Sequence, residues 1–220
     1  MEIGAWNFAF MDKQKELDEI AKQLHECKRC RLYQGATRGV PGDGSPEAKI
    51  MFIGEGPGYH EDQQGSPFVG QAGKLLDGLL LSIGFERSEV FIGNVVKHRC
   101  PENRDPLPDE IEACRLWLDQ QIGIIEPEMI VTLGRFSMAK FIPGVYISQV
   151  HGQARFVELN GRKVIVIPMY HPAAALRSSN VMEAIKTDFK KIPELRGKVL
   201  KEEQPKEEER NDNPEQLGLI

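Results

Sequence analysis

The sequence predicts an α/β domain, a parallel β-sheet covered by helices on both faces. Two observations carry this. Four apolar runs, KIMFIG at 49–54, EVFIGNVVK at 89–97, MIVTLG at 129–134 and VIVIPM at 164–169, are continuous instead of alternating, the pattern of strands buried on both sides. Between them lie segments with apolar residues at helical spacing, as crossover connections require. In such a sheet the functional site lies beyond the carboxyl ends of the strands. Four short segments should therefore converge: 54–58, 94–99, Gly134 with Arg135, and Tyr170 to Pro172.

Taken in order, residues 12–26 place Leu17, Ile20, Ala21 and Leu24 on one helical stripe and deliver the chain to Cys27. The first strand is followed by a helix over 70–83 and then the second strand. A proline-rich stretch, 101–108, leads into a helix over 109–125 whose positive end carries Asp109 and Glu110. The third strand precedes a short helix reaching Phe141, residues 154–163 read as a hairpin, and a last helix spans 181–193 after the fourth strand. Residues 1–197 thus form the folded domain, and from Lys198 the chain reads as a disordered charged tail, polar until its last five residues.

At 220 residues the chain is long enough for one well-buried core and is expected to fold alone, as a monomer. No apolar run approaches the roughly 18 to 20 residues that span a bilayer, and no signal run opens the chain, so a cytoplasmic protein without membrane contact is expected. The net charge of −5 gives no support for a nucleic-acid partner. Its placement is uneven, however: 198–220 holds four of the 28 basic and seven of the 33 acidic residues, so the rest is nearly neutral. A local basic face remains open to the domain.

Cys27 and Cys30 form a CxxC pair, and Cys100 and Cys114 complete a set of four thiols. In a chain without an export signal this points to metal ligation more than to disulfides, with buried free thiols as the plainer reading. Four thiolates suit zinc and iron-sulfur alike. The loop GEGPG at 54–58 matches neither a phosphate loop nor a full dinucleotide fingerprint, and alone is a tight turn. With Asn94 and His171 at the same rim it gains meaning, because an amide's paired donor and acceptor complement the edge of a pyrimidine. Phe68, off any helical stripe, is either core or a platform on which a base stacks. His25, His60 and His151 read as solvated or structural; His171, between a strand and Pro172, reads as functional.

These motifs, in order from about Glu16 to Pro193, resemble the family 4 uracil-DNA glycosylases, the iron-sulfur branch of the uracil-DNA glycosylase superfamily. They are the CxxC at Cys27, GEGPG at Gly54, GSPFVGQAG at 65–73, NVVK at 94–97, Asn103 with Arg104, TLG at 132–134 and HPA at 171–173. The resemblance implies a three-layer α/β/α sandwich around a four-stranded parallel sheet, a structural [4Fe-4S] cluster on Cys27, Cys30, Cys100 and Cys114, and hydrolysis of the uracil N-glycosidic bond in single- or double-stranded DNA. A superfamily member that binds uracil-containing or abasic DNA without turnover is the alternative. It implies that Phe68 stacks on an extruded base, Asn94 pairs with its N3 and O4 edge, and His171 donates to O2. Amides of Gly54, Gly56 and Gly58 would add donors. Leu176 would wedge into the vacated stack and Arg177 would meet phosphate.

Glu55 and Glu61 are the carboxylates available at the site. Relatives with a Gln-Asp pair carry a carboxylate where this chain has Gly56, so the water-positioning group stays open, and Glu61 is assigned to shaping the pocket against a 5-methyl group. The family's third cysteine aligns with His98, which leaves His98 and Cys100 as competing cluster ligands, with thiolate preferred. The terminus Gln216, Leu217, Gly218, Leu219, Ile220 resembles the peptide that docks bacterial DNA proteins onto the sliding clamp, with Ile220 in place of an aromatic; an accidental apolar end is the plainer reading.

Overall fold

Six strands build one sheet: β1 (Asp43–Gly44), β2 (Ile50–Gly54), β3 (Phe91–Asn94), β4 (Met129–Leu133), β5 (Arg155–Leu159) and β6 (Arg162–Met169), in the order β1-β3-β2-β4-β6-β5. The structure, a computed structural model, describes the backbone of residues 4–202 and the side chains of 12–197. The four interior strands are the four predicted ones and run parallel, while β1 and β5 pair antiparallel at the edges. The return arm of the expected hairpin and the fourth strand are one continuous strand, β6, turned from β5 by Asn160 and Gly161, both at positive φ. The second strand is shorter than its apolar run. Its ladder continues past the sheet, where the Val95 and Val96 amides donate to the Gly54 and Glu55 carbonyls at 3.1 and 3.0 Å.

Nine helices surround this sheet among the described residues: α1 (Gly4–His25), α2 (Tyr59–Gln64), α3 (Gln71–Ser82), α4 (Pro108–Ile125), α5 (Arg135–Phe141), α6 (Ile147–Val150), α7 (Pro172–Ala175), α8 (Ser179–Phe189) and α9 (Ile192–Glu202). Successive strand residues face opposite ways. Met51, Ile53 and Ile130 pack with Leu17, Ile20 and Leu24 of α1 and Trp117, Leu118 and Ile122 of α4. Ile50, Phe52 and Val131 face Leu76 and Leu80 of α3 and Ile185 and Phe189 of α8. Each such side chain is worth about 1.5 to 3 kcal/mol when fully buried, so strands apolar on both faces glue two layers of helices.

The last predicted helix is two. Pro193, the last residue of the expected helix, falls in the first turn of α9, where its missing amide costs nothing. Residues 198–202, expected to begin a disordered tail, continue that helix. The rest of the tail, including the peptide at 216–220, lies outside the described residues. Among those described, no helix is long and apolar enough to cross a membrane.

Candidate active site and thiol group

The β2–β3 register sets Gly54 directly beside Asn94 at the carboxyl ends of their strands. Asn94 is 2% exposed, and its Oδ1 is buried with no hydrogen-bond partner. A Cβ placed on Gly54 would come 2.4 Å from that Oδ1 and 2.6 Å from Phe68 Cζ. Only a glycine lets both side chains close over this floor. Phe68 is held at a φ of 51°, a costly conformation for a side chain of this size. The Arg87 guanidinium supports it, donating to the Pro67 and Phe68 carbonyls while pairing with Asp43 and Asp77. The His171 ring lies 5.5 Å from that of Phe68, inclined by 26°. Side chains 68, 94 and 171 therefore meet in one place.

His171 caps the amino end of α7: its Nδ1 accepts the Ala173 amide at 3.1 Å, with Pro172 opening the helix. An Nδ1 used as acceptor leaves the ring proton on Nε2. Burial presses the His171 pKa down to about 4, with Glu61 pulling it up and Arg177 pushing it further down. The ring is thus a neutral donor at physiological pH.

A cavity of about 560 Å³ is lined by Glu55, Gly56, Gly58, Glu61, Phe68, Asn94, His171 and Arg177. Leu176, 49% exposed, projects beside Arg177 at the end of α7. The carboxylates differ in kind. Both Glu61 oxygens are engaged, one by the Gly58 amide at 3.1 Å, the other by those of Val69 and Gly70 at 2.8 and 2.9 Å. Glu61 thus staples the loop that carries Phe68, and the Gly58 amide, expected as a free donor, is taken. Glu55 is half-buried, and burial raises its pKa, assisted by Asp105 and opposed by Arg135. Asn103, Arg104, Asp105, Ile147 and Tyr170 also line the cavity. Asp105 directly follows the Asn103-Arg104 pair, whereas nothing in its local sequence marks Ile147.

Cys27 follows α1 and Cys30 precedes a short 3-10 turn, both half-buried, while Cys100 and Cys114 are buried. Burial pushes the Cys100 and Cys114 thiols up to about 11; the charge of Cys30 acts on both, and that of Cys27 on Cys114. The four thiols thus share one neighbourhood, into which the Lys97 amide donates at 3.1 Å from Cys114 Sγ. Among the described residues no three Cys, His, Asp or Glu side chains converge tightly enough for a single ion. Four thiols are a donor set that zinc and an iron-sulfur cluster both use. His98 is buried, 4% exposed. Burial lowers its pKa, the opposing charge is Asp62, and a Cβ added to Gly39 would stand 3.4 Å from its Nε2.

Residues 41–192 match the sequence model of the uracil DNA glycosylase superfamily. The chain is 50% identical over 186 residues to a type-4 uracil-DNA glycosylase of Sulfurisphaera tokodaii, covering 81% of this chain and 84% of that protein. It is 47% identical over 190 residues to one from Archaeoglobus fulgidus, covering 84% and 95%. Over 178 residues it is 42% identical to one from Thermotoga maritima, covering 80% and 92%.

Proposed function

The chain belongs to the uracil-DNA glycosylase superfamily, and from that premise we propose that it releases uracil from DNA by hydrolysing the N-glycosidic bond, the opening step of base-excision repair. The observation that carries this reading is the Asn94 Oδ1, buried without a partner above the Gly54 floor. A buried acceptor left unpaired costs about 1 to 3 kcal/mol, and a donor from a bound molecule removes that cost. The N3–H of uracil is such a donor, and the Asn94 amide NH2 then meets O4. Cytosine turns an acceptor toward that oxygen and a donor toward that NH2, so it is repelled.

The base is extruded from the duplex into the cavity, at a cost of a few kcal/mol, and stacks against Phe68. Leu176 fills the gap left behind, and Arg177 meets the backbone phosphate. As the C1′–N1 bond breaks, its electron pair leaves with the base and negative charge grows at O2, where the His171 Nε2–H donates. A neutral donor fixed in place stabilises that charge without reorganising. The sugar becomes cation-like and takes up water. Glu55, raised in pKa by its burial, accepts the water proton and faces the developing positive charge.

Cys27, Cys30, Cys100 and Cys114 would hold a [4Fe-4S] cluster, with Cys100 preferred to His98 as third ligand because thiolate is the usual iron-sulfur ligand and the charge of Cys30 acts on Cys100. Bound there, the cluster supplies cross-links instead of redox chemistry, tying α1 to α4 and to the loop that walls the cavity. Residues 216–220 are proposed as an anchor for a sliding clamp.

The test is Asn94→Ala assayed on single- and double-stranded uracil-containing oligonucleotides. Release of uracil should fall about 100- to 1000-fold with an unchanged melting temperature. Undiminished release would remove Asn94 from the pocket.

A further inference from the structure

Tyr59 opens α2 and directly follows Gly58 of the cavity wall. It has no part in the chemistry above, yet it is 56% exposed, a large aromatic surface left to solvent. The ring is not loose. The Arg99 guanidinium lies over it, 5.2 Å from its centre, and His60 meets it edge-on at 5.5 Å and 78°. Arg99 is itself fixed, its Nε donating to Asn103 Oδ1 at 2.8 Å. Asn103 lines the cavity and stands at a φ of 55° beside Glu102 at 54°, and two consecutive non-glycine residues at positive φ are uncommon. Tyr59 is thereby tied to the cavity rim twice: by the chain to Gly58, and through Arg99 to Asn103.

The cations nearby are not alike. Arg104 and Arg135, which line the cavity, are paired with Glu110 and Asp105. Arg99 has no carboxylate partner among the described residues, so its charge is left to the ring and to an incoming phosphate. Exposed aromatic rings and arginine planes are the surfaces on which unpaired bases stack, and every base has a π-face to offer them. We propose that Tyr59, braced by Arg99, is a second nucleobase site at the rim of the cavity, which stacks a base adjoining the uracil when the strand is unpaired. This rests on the uracil-releasing reading of the cavity. In a duplex the neighbouring bases are held by their own stack and their partners, so the site serves single strands. It gives a nearly neutral domain a hold on DNA other than charge.

The experiment measures kcat/KM for uracil release from single-stranded oligonucleotides with adenine on both sides of the uracil, and with the 5′ or the 3′ adenine replaced by a base-free tetrahydrofuran unit. Wild-type protein should lose about tenfold when one of the two adenines is missing, chiefly through KM. Without a stacking site the change runs the other way, because a uracil with fewer stacked neighbours is easier to extrude. Tyr59→Ala should fall by a similar factor on the intact strand, should lose less on a duplex, and should no longer respond to the missing base, whereas Tyr59→Phe should still respond. A wild type that gains or is indifferent at both positions would overturn the proposal. So would a Tyr59→Ala variant that keeps the wild-type response, or that falls equally on duplex and single strand, since the ring would then serve only to pack the loop. A wild type that releases no uracil from the intact strand would instead sink the glycosylase reading, and the site with it. The ring is more than half exposed, so both variants should melt as wild type does; were Tyr59→Ala not to fold, the wild-type response to the missing base and its persistence in Tyr59→Phe would decide.

Discussion

Two contacts decide what His171 can do. The Ala173 amide occupies Nδ1 at 3.1 Å, and enclosure beside Phe68 withholds the water that an imidazolium needs. Lowered to about 4 from an ordinary 6.5, the ring binds fewer protons when folded than when unfolded between those values. Stability therefore rises with pH across that window. The contribution is complete above 6.5 and drains away as the pH falls toward 4. Uracil release should accordingly show no imidazole inflection near pH 6.5. His171→Gln should lose about 100- to 1000-fold in rate, and its melting temperature should fall less than that of wild type between pH 7 and pH 5. A wild-type rate profile with an inflection near 6.5 that vanishes in His171→Gln would mean that the ring is solvated. At this scale the residue types were readable, since an amide, an imidazole and a phenyl beyond strand ends name their own chemistry. Which acceptor lacks a partner was not, because that depends on atoms brought from other strands.

Among the elements, α3 is placed by a contact that no periodicity shows. Gly73 lies in its first turn, and a Cβ there would fall 1.8 Å from the Phe68 carbonyl oxygen and 2.2 Å from its carbon. Alanine normally favours a helix over glycine by up to about 1 kcal/mol. Here it would drive α3 away from the backbone that holds Phe68 at positive φ. Gly73→Ala should destabilise the protein, by roughly 1 to 3 kcal/mol as overpacking does, and should raise KM for uracil-containing DNA as the stacking platform moves. A variant that melts higher and keeps its KM would show that the helix and the loop are not so locked. The same limit explains what the sequence left out. Buried strands announce themselves by continuous apolar runs, so β2, β3, β4 and β6 were legible. The six-residue α2 was not, because it is fixed by Glu61 reaching the Gly58, Val69 and Gly70 amides and ended by Gly65 at a φ of 79°. Nor was β1, two residues long and defined only by its pairing with β3.

For the molecule as a whole, the sheet separates two cores of unequal dependence. Leu76, Leu80, Phe189 and Ile192 cover one face with aliphatic and aromatic side chains. The other face includes Cys100 and Cys114 in its core, with Cys27 and Cys30 packed against it. The thiol group thus joins the core in which α1 packs on α4, shared by Leu17, Leu24, Trp117 and Leu118. From Cys100 the chain runs directly into the cavity wall at Asn103, Arg104 and Asp105. Arg104 pins that wall to α4 through two bonds to the buried Glu110, at 2.8 and 2.7 Å. Stripping iron with a chelator should therefore act unevenly. Hydrogen exchange should quicken in α1, α4 and residues 100–107 while α3 and α8 stay protected, and uracil release should fall in parallel with iron content, ahead of any loss of helical circular dichroism. If exchange instead rose evenly in both helical layers, the thiol group would be holding the whole fold. Full uracil release from iron-free protein would show that the wall stands without the cluster, because Arg104 and Glu110 would then be enough to shape the cavity.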